Sequence, residues 1–165
     1  MTRAAVGLTY GEIEQMSATT TTEKSVKVLN ELIAICEDGA QGFAKAAEDV
    51  RALPLHTLFS SYSTQRTSYA ADLRREVALL GEKPEETGHA MAAFHRTWMS
   101  IKEAVGNKDK AIIDECEAGE DRALKAYQQA LQEVLPGSTL QIVKTQLVGV
   151  TEAHNKLRNL KHSTN

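Results

Sequence analysis

The sequence contains few residues that interrupt helices. Among 165 residues there are three prolines, and aromatic residues make up 5% of the chain. A proline inside a helix removes a backbone hydrogen bond and costs about 3 kcal/mol. So few prolines, in a chain rich in Ala, Glu, Lys and Leu, favour an all-helical protein.

Cysteine is also scarce, and its two copies have similar surroundings. Cys36 and Cys116 lie on the apolar faces of two predicted helices. Free cysteine commonly behaves as a small buried hydrophobe. We therefore expect both thiols to be buried and free, rather than joined in a disulfide or bound to a metal. With no sustained apolar stretch near the first residue, this cysteine usage predicts a cytoplasmic protein.

Several signatures of binding and catalysis are missing from the sequence. No apolar run reaches the roughly 20 residues of a membrane-spanning helix, so we expect no membrane partner. A net charge of −3, without a basic stripe, predicts no nucleic-acid partner. There is no glycine-rich phosphate loop, Cys-x-x-Cys pair or His-Glu-x-x-His motif, which are the usual marks of nucleotide, redox and zinc enzymes.

Apolar residues recur at alternating spacings of three and four, the pattern of amphipathic helices. They predict helices at residues 23–51, 54–80, 86–105, 109–134 and 139–160. Trp98 and Phe94 on the short third helix are expected to plug the core. Residues 19–22 are all threonine, and such a β-branched polar run should not hold a helix. We therefore expect a flexible tail at residues 1–22 and one domain at residues 23–161. Translation from Met1 and translation from Met16 both fit this division.

Two segments that lie eighty positions apart resemble each other. Six residues of the first recur in the second: Ile33, Cys36, Glu37, Gly39, Lys45 and Ala46 match Ile113, Cys116, Glu117, Gly119, Lys125 and Ala126. Each copy is followed by a Leu-Pro pair that starts a partner helix. Two helical hairpins joined through the short helix predict a four-helix bundle with one crossover, the ferritin-like topology. The small residues of the repeat are expected to let its two helices approach closely.

Three blocks of the sequence, at residues 37–50, 95–98 and 117–127, carry a family resemblance. They resemble an uncharacterised bacterial family of ferritin-like four-helix-bundle proteins, a domain of unknown function, over roughly residues 23–135. The resemblance implies the ferritin-like fold and no established reaction. The wider superfamily includes bacterioferritins and rubrerythrins, which bind two irons, so the resemblance also implies a metal site to be tested.

A di-iron bundle site takes a glutamate from each of two helices and a Glu-x-x-His pair from each of the other two. The candidate ligands in this sequence are Glu37, Glu117, Glu120 and His154. The set is incomplete, because Thr151 stands three residues before His154 where a glutamate is expected. The second helix carries Arg66 and Tyr69 where Glu and His are expected.

An arginine on an apolar helix face is costly to bury without a partner. We therefore expect a buried polar network of Arg66, Tyr69 and Glu120, with His154 hydrogen-bonded to it. Our hypothesis is that Arg66 replaces the metals electrostatically, so that no cofactor is bound. The alternative is that Glu37, Glu117, Glu120 and His154 hold iron or manganese.

These residues favour a non-enzymatic helical bundle that acts through its structure or by self-association. The family resemblance implies a stress-related role and, because ferritin-like relatives commonly pair, a homo-oligomer. The alternative is a carboxylate-bridged iron or manganese protein with oxidase or iron-handling activity. A helical module that binds a partner is a third reading, for which an exposed apolar patch on the short helix would be the sign.

Overall fold

The computed structural model describes residues 7–86, 91–103 and 105–164, with residues 91–94 described by their backbone. The described residues form five helices: α1 (Tyr10–Asp49), α2 (Leu53–Leu79), α3 (Met91–Glu103), α4 (Lys108–Ala130) and α5 (Gly137–Ser163). The described residues form no strand. The predicted all-α fold is therefore confirmed. None of the described helices is long and apolar enough to cross a membrane.

Helix α1 begins at Tyr10, well before the predicted start at residue 23. Thr9 caps this end through a capping box with Glu12. Each hydroxyl of the threonine run at residues 19–22 donates to the carbonyl four residues earlier. The prediction that this run should not hold a helix is wrong. Threonine lowers helix propensity by only about 0.7 kcal/mol or less, and these bonds satisfy its polar group within the helix.

The boundaries of α2 and α5 and the start of α4 lie within three residues of the predicted ones, and local signals mark several of them. Pro54 lies in the first turn of α2, where its missing N–H removes no helical bond. Just beyond α2, Gly81 has a φ of +85°, a conformation that only glycine adopts without cost. Helix α4 ends at Ala130 rather than at residue 134, and Val134 is exposed.

The long helices pack as neighbours in a closed order. Helix α1 contacts α2 and α4, and α5 contacts α4 and α2, while α3 packs against α4. The buried side chains of the described residues form two apolar clusters. One contains Leu29, Ile33, Cys36, Ala70, Leu73, Ala123, Tyr127, Val143 and Val150. The other contains Phe43, Phe59, Trp98, Ile112, Ile113, Cys116 and Leu157.

A polar layer separates these two clusters on α2 and α4. On α2 the clusters are divided between Phe59 and Ala70, and on α4 between Cys116 and Ala123. Arg66 and Glu120 lie in these intervals and are both buried. The fold therefore brings a pair of charged residues to the level between its two apolar clusters.

Candidate functional site

Arg66 and Glu120 form a buried ion pair at the centre of the polar layer. Their exposed fractions are 1% and 2%. The Nη2 atom of Arg66 lies 2.5 Å from Oε2 of Glu120, and its Nε lies 3.3 Å from Oε1. The guanidinium thus contacts both carboxylate oxygens, the geometry in which arginine pairs most strongly with a carboxylate.

The remaining surfaces of the guanidinium are also in contact with protein groups. Nη1 donates to Oε1 of Gln65 at 3.1 Å. The guanidinium carbon lies 5.5 Å from the centre of the Tyr69 ring, within the range of a cation–π contact. Arg66 therefore has a carboxylate, an amide and an aromatic ring as partners.

Gly39 makes room for the aliphatic part of Arg66. A Cβ atom at Gly39 would lie 3.4 Å from Cγ of Arg66, and no other residue supplies a nearer atom. At Gly119 the nearest atom would belong to Arg122 on the same helix. The predicted role of these two glycines, a close approach of the repeat helices, is therefore wrong. What Gly39 accommodates is a side chain from α2.

Burial and charge act on Glu120 in opposite directions. Removal from water raises the pKa of the Glu120 carboxyl, while the charge and hydrogen bonds of Arg66 oppose the rise. Arginine stays protonated in proteins. Ionised Glu120 is therefore the form that compensates the buried charge of Arg66.

The other candidate carboxylates are paired with cations of their own. Glu37 is bound by Arg74. Glu117 accepts from Nζ of Lys161 at 3.1 Å. These two glutamates, which occupy matching positions of the repeat, therefore form separate ion pairs outside the Arg66–Glu120 contact.

His154 is buried beside two carboxylates but does not bond to Arg66. Its Nε2 lies 3.8 Å from Oε1 of Glu117 and 3.7 Å from Oδ1 of Asp121, longer than a hydrogen bond. Its Nδ1 has no hydrogen-bond partner within the described part of the chain. The structure brings Glu120 to Arg66 and His154 to Glu117.

These residues do not fit a di-iron centre. Such a centre needs carboxylates turned toward a common point, whereas Glu37, Glu117 and Glu120 contact three different cations. Within the described residues, no three His, Cys, Asp or Glu side chains are grouped so that they could hold a metal ion.

A second buried network lies next to the ion pair. The Cys36 thiol lies 3.1 Å from the Tyr127 hydroxyl, which donates to Oε1 of Gln146 at 2.7 Å. Gln146 in turn donates to the Tyr69 carbonyl at 3.2 Å. Burial raises the pKa of Cys36 to about 11, against the lowering effect of the Tyr127 bond. Sequence reasoning missed Gln146, although its position between Val143 and Val150 on the apolar face of α5 was a signal.

Helix α3 is fixed to α1 by its tryptophan. Trp98 is 4% exposed and belongs to the cluster of Phe43 and Phe59. Its indole N–H donates to Oδ2 of Asp49 at 2.6 Å. The predicted packing role of Trp98 is confirmed, while the side chain of Phe94 lies outside the described residues.

Comparison with known proteins identifies a family. No curated protein matches the chain. A family described as a domain of unknown function, DUF2383, matches residues 24–133, and this stretch contains the buried pair and the whole repeat. Because the match covers well over half of the sequence, the chain belongs to this family of domains of unknown function.

Proposed function

We propose that this protein is a metal-free, ferritin-like four-helix bundle that acts through its structure or by self-association rather than by catalysis. The order of helix contacts supports the ferritin-like part of the proposal. Helices α1 and α2 form one hairpin and α4 and α5 the other, with α3 in the connection between them. This order supports a bundle with one crossover.

The buried Arg66–Glu120 pair carries the metal-free part of the proposal. Two metal ions between carboxylates would supply positive charge at the centre of a bundle. Here a guanidinium supplies that charge and contacts both oxygens of Glu120. A cation placed beside Arg66 would be repelled by it and would have to displace it from Glu120.

The non-enzymatic part rests on the way the candidate carboxylates are paired. A general acid or base must reach its substrate through a hydrogen bond. Both oxygens of Glu120 are held by Arg66, and Glu37 and Glu117 are bound to Arg74 and Lys161. The family resemblance implies a stress-related role. We include this role in the proposal, as the role of a structural protein.

Metal content tests the proposal. The protein is to be produced in medium supplemented with iron and manganese, and its metals measured after gel filtration. A second sample receives ferrous iron in air while near-UV absorption is recorded. We expect far less than one metal per chain and no oxo-to-iron absorption band.

A matched pair of variants makes the test specific to the polar layer. Glu120→Gln removes the carboxylate that faces Arg66, and Glu48→Gln removes an exposed carboxylate of α1. Two tightly bound metals per chain that are lost in Glu120→Gln and kept in Glu48→Gln would overturn the proposal. That result would establish the iron or manganese alternative.

A further inference from the structure

A cavity of about 410 Å³ lies between α1 and α4, next to α3. Its buried walls are formed by Phe43, Trp98, Cys116, Glu120 and Ala123. Cavities of this size hold small organic molecules.

Glycines contribute to the space of the cavity. Gly39, Gly42 and Gly119 all line it. At Gly119, an added Cβ would meet only the Arg122 guanidinium, at 3.8 Å. A glycine inside a helix costs about 1 kcal/mol relative to alanine. Gly39 makes room for Arg66, whereas the space left at Gly119 belongs to the cavity.

The charged groups around the cavity are unequal in number. Among the described residues, three carboxylates line it, those of Asp38, Glu115 and Glu120, with one guanidinium, that of Arg122. Glu120 is compensated by Arg66. Arg122 lies 3.8 Å from Glu115.

Asp38 is the carboxylate that remains. It is exposed at the solvent side of the cavity. It forms no hydrogen bond or ion pair with any described residue. Desolvation and the nearby negative charge of Glu37 raise the pKa of Asp38, although Arg122 opposes them. A positive charge placed beside Asp38 would therefore stabilise its ionised form.

We propose that this cavity binds a small organic cation, an amine with an apolar body. The body packs against Phe43 and Trp98, and the ammonium group pairs with Asp38 at the solvent side. Aromatic rings and a carboxylate both attract a cation. A carboxylate ligand would instead be repelled by Asp38. The proposal goes beyond the structural role proposed above and is tested separately from it, because Asp38 is not among the candidate metal ligands and the readout is amine affinity rather than metal content.

Fluorescence provides a direct assay because Trp98 is the only tryptophan in the chain. The full chain is to be titrated at pH 7 with 2-phenylethylamine, and with 2-phenylethanol and 3-phenylpropionate, which have a neutral and an anionic end. We expect the amine to change Trp98 emission in a saturable way. The alcohol should bind about tenfold more weakly than the amine, and the acid should not bind. Calorimetry with the same compounds confirms the stoichiometry of one.

Equal affinity for the amine and the alcohol would overturn the proposal. So would the lack of saturable binding of the amine up to about 10 mM, the weak limit for a specific small ligand.

Three variants locate the site. Asp38→Asn removes the exposed charge and should reduce the affinity for the amine about tenfold, to that of the alcohol. Glu48→Gln, an exposed change on the same helix, should leave the affinity unchanged. Gly119→Leu extends a side chain into the cavity and should abolish binding of both compounds, with its fold checked by circular dichroism. Unchanged amine affinity in Asp38→Asn contradicts the proposal even where Gly119→Leu fails to fold.

Discussion

Arg66 and Glu120 each stabilise the fold only while the other is present. A buried charge without its partner costs about 3–5 kcal/mol of folding free energy. Glu120→Gln leaves the Arg66 guanidinium buried and uncompensated, since arginine cannot lose its proton. We expect this variant to lose about 3–5 kcal/mol of unfolding free energy in urea titrations.

The double variant Arg66→Met/Glu120→Leu serves as the control for that loss. Apolar replacement of both partners removes the two charges together and is commonly neutral or stabilising. We expect its stability to lie close to that of the unmodified protein. The single variants Arg66→Met and Glu120→Leu complete the comparison. If their losses of unfolding free energy add up in the double variant, with coupling below about 0.5 kcal/mol, the contact contributes little.

At the scale of single residues, the sequence predicted that Arg66 and Glu120 belong to a buried polar network. It did not predict which cations pair with Glu37 and Glu117. Arg66 and Glu120 stand out because each interrupts an apolar stripe. Arg74 and Lys161 lie outside the apolar faces of their helices. Their pairing with the two glutamates depends on how each helix is rotated about its axis. That rotation is set by packing of the whole interface, which a single stripe does not determine.

Between elements, the contact of α2 with α5 depends on Gly149. A methyl group at this position would overlap the hydroxyl oxygen of Tyr69 and lie 3.1 Å from Nε2 of Gln65. Tyr69 also contacts the Arg66 guanidinium, so it cannot turn away without cost.

Gly149→Ala is therefore expected to destabilise the protein by about 1–3 kcal/mol, despite the higher helix propensity of alanine. Thermal unfolding followed by circular dichroism measures the effect. Gly137→Ala, at a helical glycine where an added Cβ meets nothing within 4 Å, is the matched control. A Gly149→Ala variant that unfolds at or above the temperature of the unmodified protein would rule out this close contact.

The attachment of α3 should depend on pH through Asp49. Burial alone would raise the pKa of Asp49, but the Trp98 bond and the charges of Lys45, Lys102 and Lys108 together lower it. A lowered pKa in the folded state adds stability above the unfolded value of about 3.9. That stability is lost as pH falls through the folded pKa.

We expect the emission of Trp98 to shift to longer wavelength below about pH 4, as the indole loses its ionised acceptor. Asp49→Asn keeps an acceptor of the same shape but does not titrate, so its emission should not follow this transition. The same acid shift in both proteins would assign the change to other groups.

The positions of most helices could be predicted from the spacing of apolar residues, whereas the start of α1 could not. The apolar stripes of α2, α4 and α5 and the signals at Pro54 and Gly81 are local, and local signals can be read from one sequence. The threonine run at residues 19–22 lowers helix propensity, yet the capping box of Thr9 and Glu12 lies ten residues earlier and fixes the helix there. Propensity is a weak prior that neighbouring structure overrides.

Over the whole molecule, the repeat persists as a pattern of charge pairing. Glu37 on α1 pairs with Arg74 on α2, and Glu117 on α4 pairs with Lys161 on α5. In both hairpins the repeated glutamate is thus compensated by its partner helix. The halves differ at the polar layer, where α2 supplies Arg66 and α4 supplies Glu120. This asymmetry is the basis of our proposal that the centre of the bundle needs no metal to balance its charge.

Anomalous X-ray diffraction tests this claim most directly. Crystals of protein grown with iron and manganese are to be measured at the absorption edges of both metals. The account predicts no anomalous peak within bonding distance of Glu120, with the Arg66 guanidinium in density against both carboxylate oxygens. A metal peak bonded to Glu120, with Arg66 displaced from it, would contradict the account.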